Sequence, residues 1–321
     1  MCIYFIFLLF LFVSCKENEE IPTLQRGELF SAEKTIEIPA KEIPAIIGDS
    51  FPNTLAIYDV EGYRITYSTI YNNEPILSQA LLLMPKNASK IHFVSYFHGT
   101  NVPIKILGSE RKIPSKYDGG KKDWKEVRWC GITFATSGYC VLLPDYIGFG
   151  MTAEKEHPFV YYPELFKANI DALLASKKFF QKQKITYNND LFLAGWSQGA
   201  GASLSAHKYI EKDYAHEFKI IASSNLAGPY NFIHFIEDVF SNSNKHYRAA
   251  GLYSWAGYVL NKFSGLNRPL DQIFSFPVYD QMSAFDVFTS KPIDLFHDYF
   301  IANILNGDDE KQKSYSIKNN C

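Results

Sequence analysis

Between Leu191 and Leu204 the chain reads LFLAGWSQGAGASL. An apolar run passes into a run of small residues with nothing between them that could form a loop. The apolar half predicts a buried strand, Asp190–Trp196, and the small-residue half predicts a helix from Gln198. Both are joined through one residue, Ser197. A strand that turns into a helix this abruptly leaves no room for side chains beside the turn. Gly195 and Gly199 meet that demand, and Ala200, Gly201, Ala202 and Ser203 keep the helix thin where it packs on its sheet.

The flanking chain has the same rhythm. KIHFVSYF (Lys90–Phe97) and YCVLLPD (Tyr139–Asp145) predict strands, with a polar loop over 104–122 and a helix over Asp123–Thr136 between them. Over 163–183 the apolar residues Leu165, Phe166, Ile170, Leu173, Leu174 and Phe179 recur at helical spacing, and KIIASSNLAG (Lys219–Gly228) predicts a further strand. Strands joined by helical crossovers imply an α/β fold, a doubly wound and mostly parallel sheet covered on both faces. Upstream, TLAIYDV (Thr54–Val60), YRITYSTI (Tyr63–Ile70) and ILSQALLLMP (Ile76–Pro85) are separated by turn residues and predict antiparallel strands. Residues 16–50 are polar, with Pro22, Pro39 and Pro44, and predict a tether. The expected organisation is a leader over 1–15, the tether over 16–50, a core over 51–228, a helical cap over 229–300 and the start of a further part over 301–321.

The chain has 321 residues and a formal net charge of −2, so no basic excess suits nucleic acid or an anionic membrane surface. Ile3–Val13 is an unbroken apolar run, too short to span a bilayer comfortably and of the length of a signal-peptide core. Ser14, Cys15 and the acidic stretch KENEE follow. The arrangement resembles a bacterial lipoprotein signal. That resemblance implies Cys15 as the lipid-modified first residue of the mature protein, exported and held by that lipid at the outer membrane or cell surface. No Lys or Arg precedes the run, and Phe12 stands where Leu is usual; a cleaved secretory signal and an uncleaved anchor are the alternatives. Cys130 and Cys140 fall on an expected helix and the strand after it. Two buried free thiols are the plainer reading and a disulfide is the other, while Cys321 is left odd.

Three segments in order, YFHGTNVP (Tyr96–Pro103), LLPDYIGFG (Leu142–Gly150) and GWSQGAGASL, resemble the α/β-hydrolases. More narrowly, they are similar to the bacterial secretory-lipase-like branch, over roughly residues 50–320. The resemblance implies Ser197 as nucleophile and hydrolysis of carboxylic esters, with neither cofactor nor metal. An oxyanion hole of two backbone N–H groups is expected, one from Gln198 and the other from the loop after the Lys90–Phe97 strand. Thr100 and Asn101 are the loop candidates, and Gly99 lets that backbone approach substrate. His98 lies in a loop that donates amides and is read as structural. Asp145 is read as shaping a turn with Gly148 and Gly150, because in this fold the acid follows the nucleophile in sequence.

The acid and the base are harder to place. Residues 229–300 are rich in aromatics (among them Phe232, Phe235, Phe240, Tyr253 and Trp255), as an apolar cover over an acyl-binding pocket or as ordinary core. The resemblance calls for a strand with an acid, a helix, a last strand and a histidine loop after the cap. Asp280, at the end of IFSFPVYD, and His297 are weak candidates. Pro277 would remove a hydrogen bond from a central strand, and the segment between the two candidates is too short for the elements it must hold. His234, His246 and Asp294 are read as surface or cap residues. The expectation is a truncated hydrolase, its Asp and His beyond Cys321 and the chain as given inactive. A serine peptidase on the same fold and a non-catalytic surface lipoprotein that binds a lipid or glycan are the competing readings.

Overall fold

A computed structural model of the chain describes residues 25–48, 51–88, 91–102, 113–122, 124–248, 250–285 and 291–306. Seven strands form one sheet: β1 (Leu29–Ile38), β2 (Val60–Tyr71), β3 (Glu74–Pro85), β4 (Ile91–Phe97), β5 (Tyr139–Pro144), β6 (Tyr187–Trp196) and β7 (Lys219–Leu226), in the order β1-β2-β3-β5-β4-β6-β7. β1, β2 and β3 run antiparallel to one another and β3 to β5, whereas β5, β4, β6 and β7 are mutually parallel. The β2–β3 hairpin closes through Asn72 and Asn73, both at positive φ (51° and 65°). Such a two-residue turn matches the twist of the strands it joins, and asparagine tolerates it. β4 and β5 lie mid-sheet and are buried almost throughout, as their unbroken apolar sequences require.

Part of the expected tether is folded. Residues 29–38 form an edge strand paired with β2, with Ile36 and Ile38 in the core, and a short helix α1 (Ile43–Ile47) buries three isoleucines. An edge strand buries few side chains, so its polar sequence resembled a linker. Just upstream, Arg26 Nε donates to both oxygens of the buried Asp171 carboxylate (3.1 and 3.0 Å), and Thr69 Oγ1 donates to it at 2.6 Å. Burial still holds the Asp171 pKa above its usual range. A second difference is at 54–60, where a 3-10 turn over Asn53–Leu55 replaces the expected strand, and pairing begins only at Val60.

The helix expected at Asp123–Thr136 contains a π-helical turn, Val127–Ile132, before α2 (Thr133–Thr136). Gly131 in that turn faces Leu83 and Leu143, where a Cβ would stand 3.0 Å from Leu83 Cδ1. Helix α3 (Tyr162–Lys182) buries Leu165, Ile170, Leu173 and Phe179 as its periodicity predicts. Helix α4 (Gln198–Asp213) lies beside it. A Cβ at Gly201 would stand 2.1 Å from the Tyr162 hydroxyl, so the small residues at the start of α4 allow the helices to touch. Cys130 and Cys140 are free.

Beyond β7 the chain forms helices α5 (Phe232–Ser241), α6 (Ala250–Phe263), α7 (Gln281–Phe285) and α8 (Asp298–Leu305). The candidate acid-bearing stretch, Ile273–Asp280, forms no strand among the described residues and makes an isolated bridge, Phe274 to Phe296. The aromatic residues of this part divide between core and the wall of a cavity. Phe240, Trp255 and Tyr258 are buried core, while Phe232, Phe235 and Tyr253 help line a cavity of about 110 Å³ between α5, α6 and α8. Among the described residues no helix is long and apolar enough to cross a membrane.

Candidate active site

Ser197 stands at φ 56° and ψ −124°, between the last residue of β6 and the first of α4. A non-glycine residue there is strained, and such strain persists only where the surroundings over-determine it. They do so here. A Cβ on Gly195 would lie 2.3 Å from the Gly199 carbonyl oxygen, and one on Gly199 would lie 2.0 Å from Phe97 O and 2.5 Å from His98 O. The start of α4 is therefore pressed onto the end of β4. Ser197 N–H donates to Leu226 O on β7 (2.9 Å), and Ala200 N–H donates to Ser197 O (3.0 Å). The serine occupies the N-cap position of α4 but makes no side-chain capping bond, which removes the ordinary reason for a serine at a helix start. The residue is half-buried at the C-terminal edge of the parallel strands.

The same pressing brings the loop after β4 beside the serine. Gly99 packs against Trp196, and its N–H donates to both oxygens of Glu126 (3.1 and 2.9 Å). Tyr96 O–H donates to the same carboxylate at 2.9 Å. The Gly99 N–H is thus occupied, and Thr100 and Asn101, both half-buried, remain the loop's candidate donors. Within the described residues no hydrogen bond engages the Thr100 N–H. The Gln198 N–H opens α4, where helix geometry leaves it without an intrahelical acceptor and the helix dipole favours negative charge.

Two buried histidines flank this arrangement. The His98 ring stacks on Tyr146 at 4.1 Å, Nδ1 meets the Gly99 carbonyl at 2.8 Å, and Tyr146 O–H donates to His98 O at 3.0 Å. Burial holds its pKa down. These are structural contacts, as its place in an amide-donating loop suggested. His157, which sequence reasoning passed over, lies against Gln198: His157 Nε2 is 2.7 Å from Gln198 Nε2, and His157 Nδ1 is 2.7 Å from Ile147 O. The Nδ1–H donates to that carbonyl, so Nε2 carries the lone pair and accepts from the Gln198 amide. Burial pushes the His157 pKa down to about 3.

Asp145 accepts Ser115 N–H (2.8 Å) and Ser115 O–H (2.5 Å) on its two oxygens, and burial pushes its pKa up to about 7. A Cβ on Gly150 would stand 2.8 Å from its Oδ2. Asp145 therefore ties two loops together, which is the turn-shaping role expected of it. The weak acid and base candidates are occupied elsewhere. Asp280 Oδ1 accepts Ser283 N–H (2.8 Å) at the start of α7, and His297 Nε2 meets Asp271 O (3.0 Å) at the start of α8. Neither is bonded to Ser197. His234 pairs with Glu237 at the surface. His207 pairs with Ser223 and Glu211, ten residues along α4, about 15 Å from the serine. Among the described residues no side chain hydrogen-bonds to Ser197 Oγ, and no group of His, Cys, Asp and Glu could hold a metal. Cys15, Cys321 and residues 103–112 lie outside the described residues.

Strand order, the strained serine between β6 and α4, and the loop after β4 define an α/β-hydrolase. The sequence over residues 132–317 matches the family described as secretory lipase, and the chain belongs to that family. Ester hydrolysis is the general chemistry that this membership supports. Solved structures share the fold. One is the rice cell wall degrading esterase LipA from Xanthomonas oryzae (22% identity, 92% of this chain and 79% of that one, TM-score 0.74). Another is a Legionella pneumophila protein (21%, 90% and 78%, TM-score 0.74). Lipase A from Candida antarctica in its closed state is more distant (19%, 90% and 63%, TM-score 0.55). No curated protein matches the sequence.

Proposed function

We propose that the protein is a serine hydrolase that cleaves carboxylic esters through an acyl-enzyme on Ser197. The observation that carries this reading is the backbone of Ser197 itself: a strained turn, held by glycines that admit no Cβ, presents the hydroxyl without using it as a helix cap. In the reaction Ser197 Oγ attacks the ester carbonyl, and the Gln198 N–H with an N–H of the Thr100–Asn101 segment takes the charge that develops on oxygen. The alcohol leaves, and water then releases the acid from the acyl-enzyme. A histidine base and its acidic partner are the parts that the described residues do not bring to Ser197. The reading assigns them to chain outside the described residues. An acyl chain as the acid portion of the substrate belongs to the same reading; the apolar cavity between α5, α6 and α8 is lined by none of Ser197, Gln198, Thr100 and Asn101. Export with a lipid on Cys15 belongs to the same reading and would hold the enzyme at a membrane.

The peptidase alternative needs a carboxylate near the serine to hold a substrate amine. Glu126 is a carboxylate on the loop side, and Gly99 and Tyr96 already occupy it. The test uses the full-length protein against p-nitrophenyl acyl esters and aminoacyl p-nitroanilides. Ester turnover is expected, with Ser197→Ala lowering kcat by roughly 10⁵-fold or more. Turnover of the anilides alone would favour a peptidase. Ester and anilide turnover both absent would favour the non-catalytic binding protein.

A further inference from the structure

His157 faces two parts of the molecule at once. Its ring accepts the Gln198 side-chain amide, and Gln198 also carries the backbone N–H that opens α4. The Gln198 carbonyl oxygen is buried and makes no hydrogen bond to the described residues, so the His157 contact is the one polar bond that orients the side chain. The backbone of the His157 segment is held from the cap. His157 N–H donates to Gln281 Oε1 of α7 at 3.1 Å. Phe159 stacks on Trp255 of α6 at 4.1 Å and 6°. Glu156 accepts from Tyr258 O–H (2.7 Å) and pairs with Lys262 (2.5 Å), both on α6. The ring is boxed by Tyr146, Phe149 and Trp255, and its other nitrogen is spent on Ile147 O.

We infer that His157 is a positioning residue, which transmits the seating of the cap to the oxyanion amide of Gln198. The inference rests on the ester-hydrolase reading for its catalytic consequence. A neutral imidazole suits the task because it is an acceptor on one side and a donor on the other, with a rigid ring between. It fixes Gln198 only while the 156–159 segment stays where α6 and α7 hold it. Movement of the cap away from the core would draw His157 back and loosen the start of α4. A shift of an oxyanion donor by a fraction of an ångström weakens the bond that matters only in the transition state, so the loss falls on kcat rather than on KM.

The test compares wild type with His157→Phe, His157→Gln, Gln198→Met and Gln281→Leu in the full-length protein, by ester kinetics and by hydrogen exchange of peptides spanning Ser197–Gly201. His157→Phe keeps the stacking and removes the acceptor. It is expected to lower kcat by about 10- to 100-fold, with KM within about threefold. Gln198→Met breaks the same bond while keeping the backbone N–H and should show the same split, which preserves the test if His157→Phe does not fold. His157→Gln restores an acceptor and should recover most of the loss, and Gln281→Leu should give a smaller loss of the same kind. Exchange across the elbow should quicken in His157→Phe, Gln198→Met and Gln281→Leu. Unchanged kcat, or kcat and KM altered together with no rescue by glutamine, would overturn the inference while leaving Ser197 as nucleophile. If wild type turns over no ester, the hydrolase reading falls, and exchange still decides the coupling: faster exchange supports it and unchanged exchange overturns it.

Discussion

On the flank of Ser197 that faces β4 the contacts are close: Gly199 lies on Phe97 O, the Glu126 carboxylate accepts the Gly99 N–H, and the His157 ring accepts the Gln198 side-chain amide. The flank that faces β7 is different. Along that strand Ile221 is 44% and Leu226 61% exposed, and the neighbouring Trp196 is 49% exposed. The first flank leaves no room for a Cβ at Gly195 or Gly199. Among the described residues, the second holds Ser197 through the bond from its N–H to Leu226 O. The difference teaches that the Ser197 turn is fixed from the β4 side, the side on which the oxyanion donors of the proposed hydrolase would lie.

Substitutions can break that contrast. Gly199→Ala attacks the rigid flank where it is tightest. A methyl 2.0 Å from a carbonyl oxygen forces backbone apart, so stability should fall by about 1–3 kcal/mol or more, with ester turnover lost; urea titration and kinetics check this. Full activity in Gly199→Ala would mean that the elbow is not so constrained. Glu126→Gln leaves the loop packed but weakens the two charge-assisted bonds at Gly99. A drop in kcat of about tenfold is expected with little change in Tm, and equal loss of kcat and Tm would make Glu126 merely structural.

The buried titrating groups sharpen the comparison next. Asp145 has its folded pKa raised to about 7, against about 3.9 unfolded, so it favours folding fully below about pH 4 and loses that contribution as pH rises through 7. His157 has its folded pKa lowered to about 3, against about 6.5 unfolded, so it favours folding fully above about pH 6.5 and loses that contribution as pH falls through 3. Between about pH 4 and 6.5 the two slopes oppose. Relative to wild type, Asp145→Asn should make stability rise more steeply with pH across that window, and His157→Phe should tilt it the other way, as followed by denaturation at several pH values. The smallest effect belongs to the open flank. Ile221→Thr should change stability by no more than about 0.5 kcal/mol; a loss several times larger would show that β7 is covered in solution.

The elbow was legible because everything it needs is adjacent in sequence: an apolar strand, a serine between glycines, and a small-residue helix. The Asn72-Asn73 turn was legible for the same reason. What stayed hidden depends on distant chain. Glu126 meets Gly99 across 27 positions and His157 meets Gln198 across 41, and neither residue carries a local signal of its partner. β1 reads as tether in sequence because an edge strand with two buried isoleucines needs little apolar sequence. For the acid and base candidates inside the cap, an acid and a histidine at plausible spacing say nothing of direction: Asp280 accepts Ser283 N–H at the start of α7, and His297 meets Asp271 O.

The most direct measurement is mass-spectrometric mapping of a fluorophosphonate adduct on the full-length protein. The adduct should sit on the peptide containing Ser197 and vanish in Ser197→Ala. An unlabelled Ser197, or an adduct on another residue, would contradict the assignment of this serine as the nucleophile.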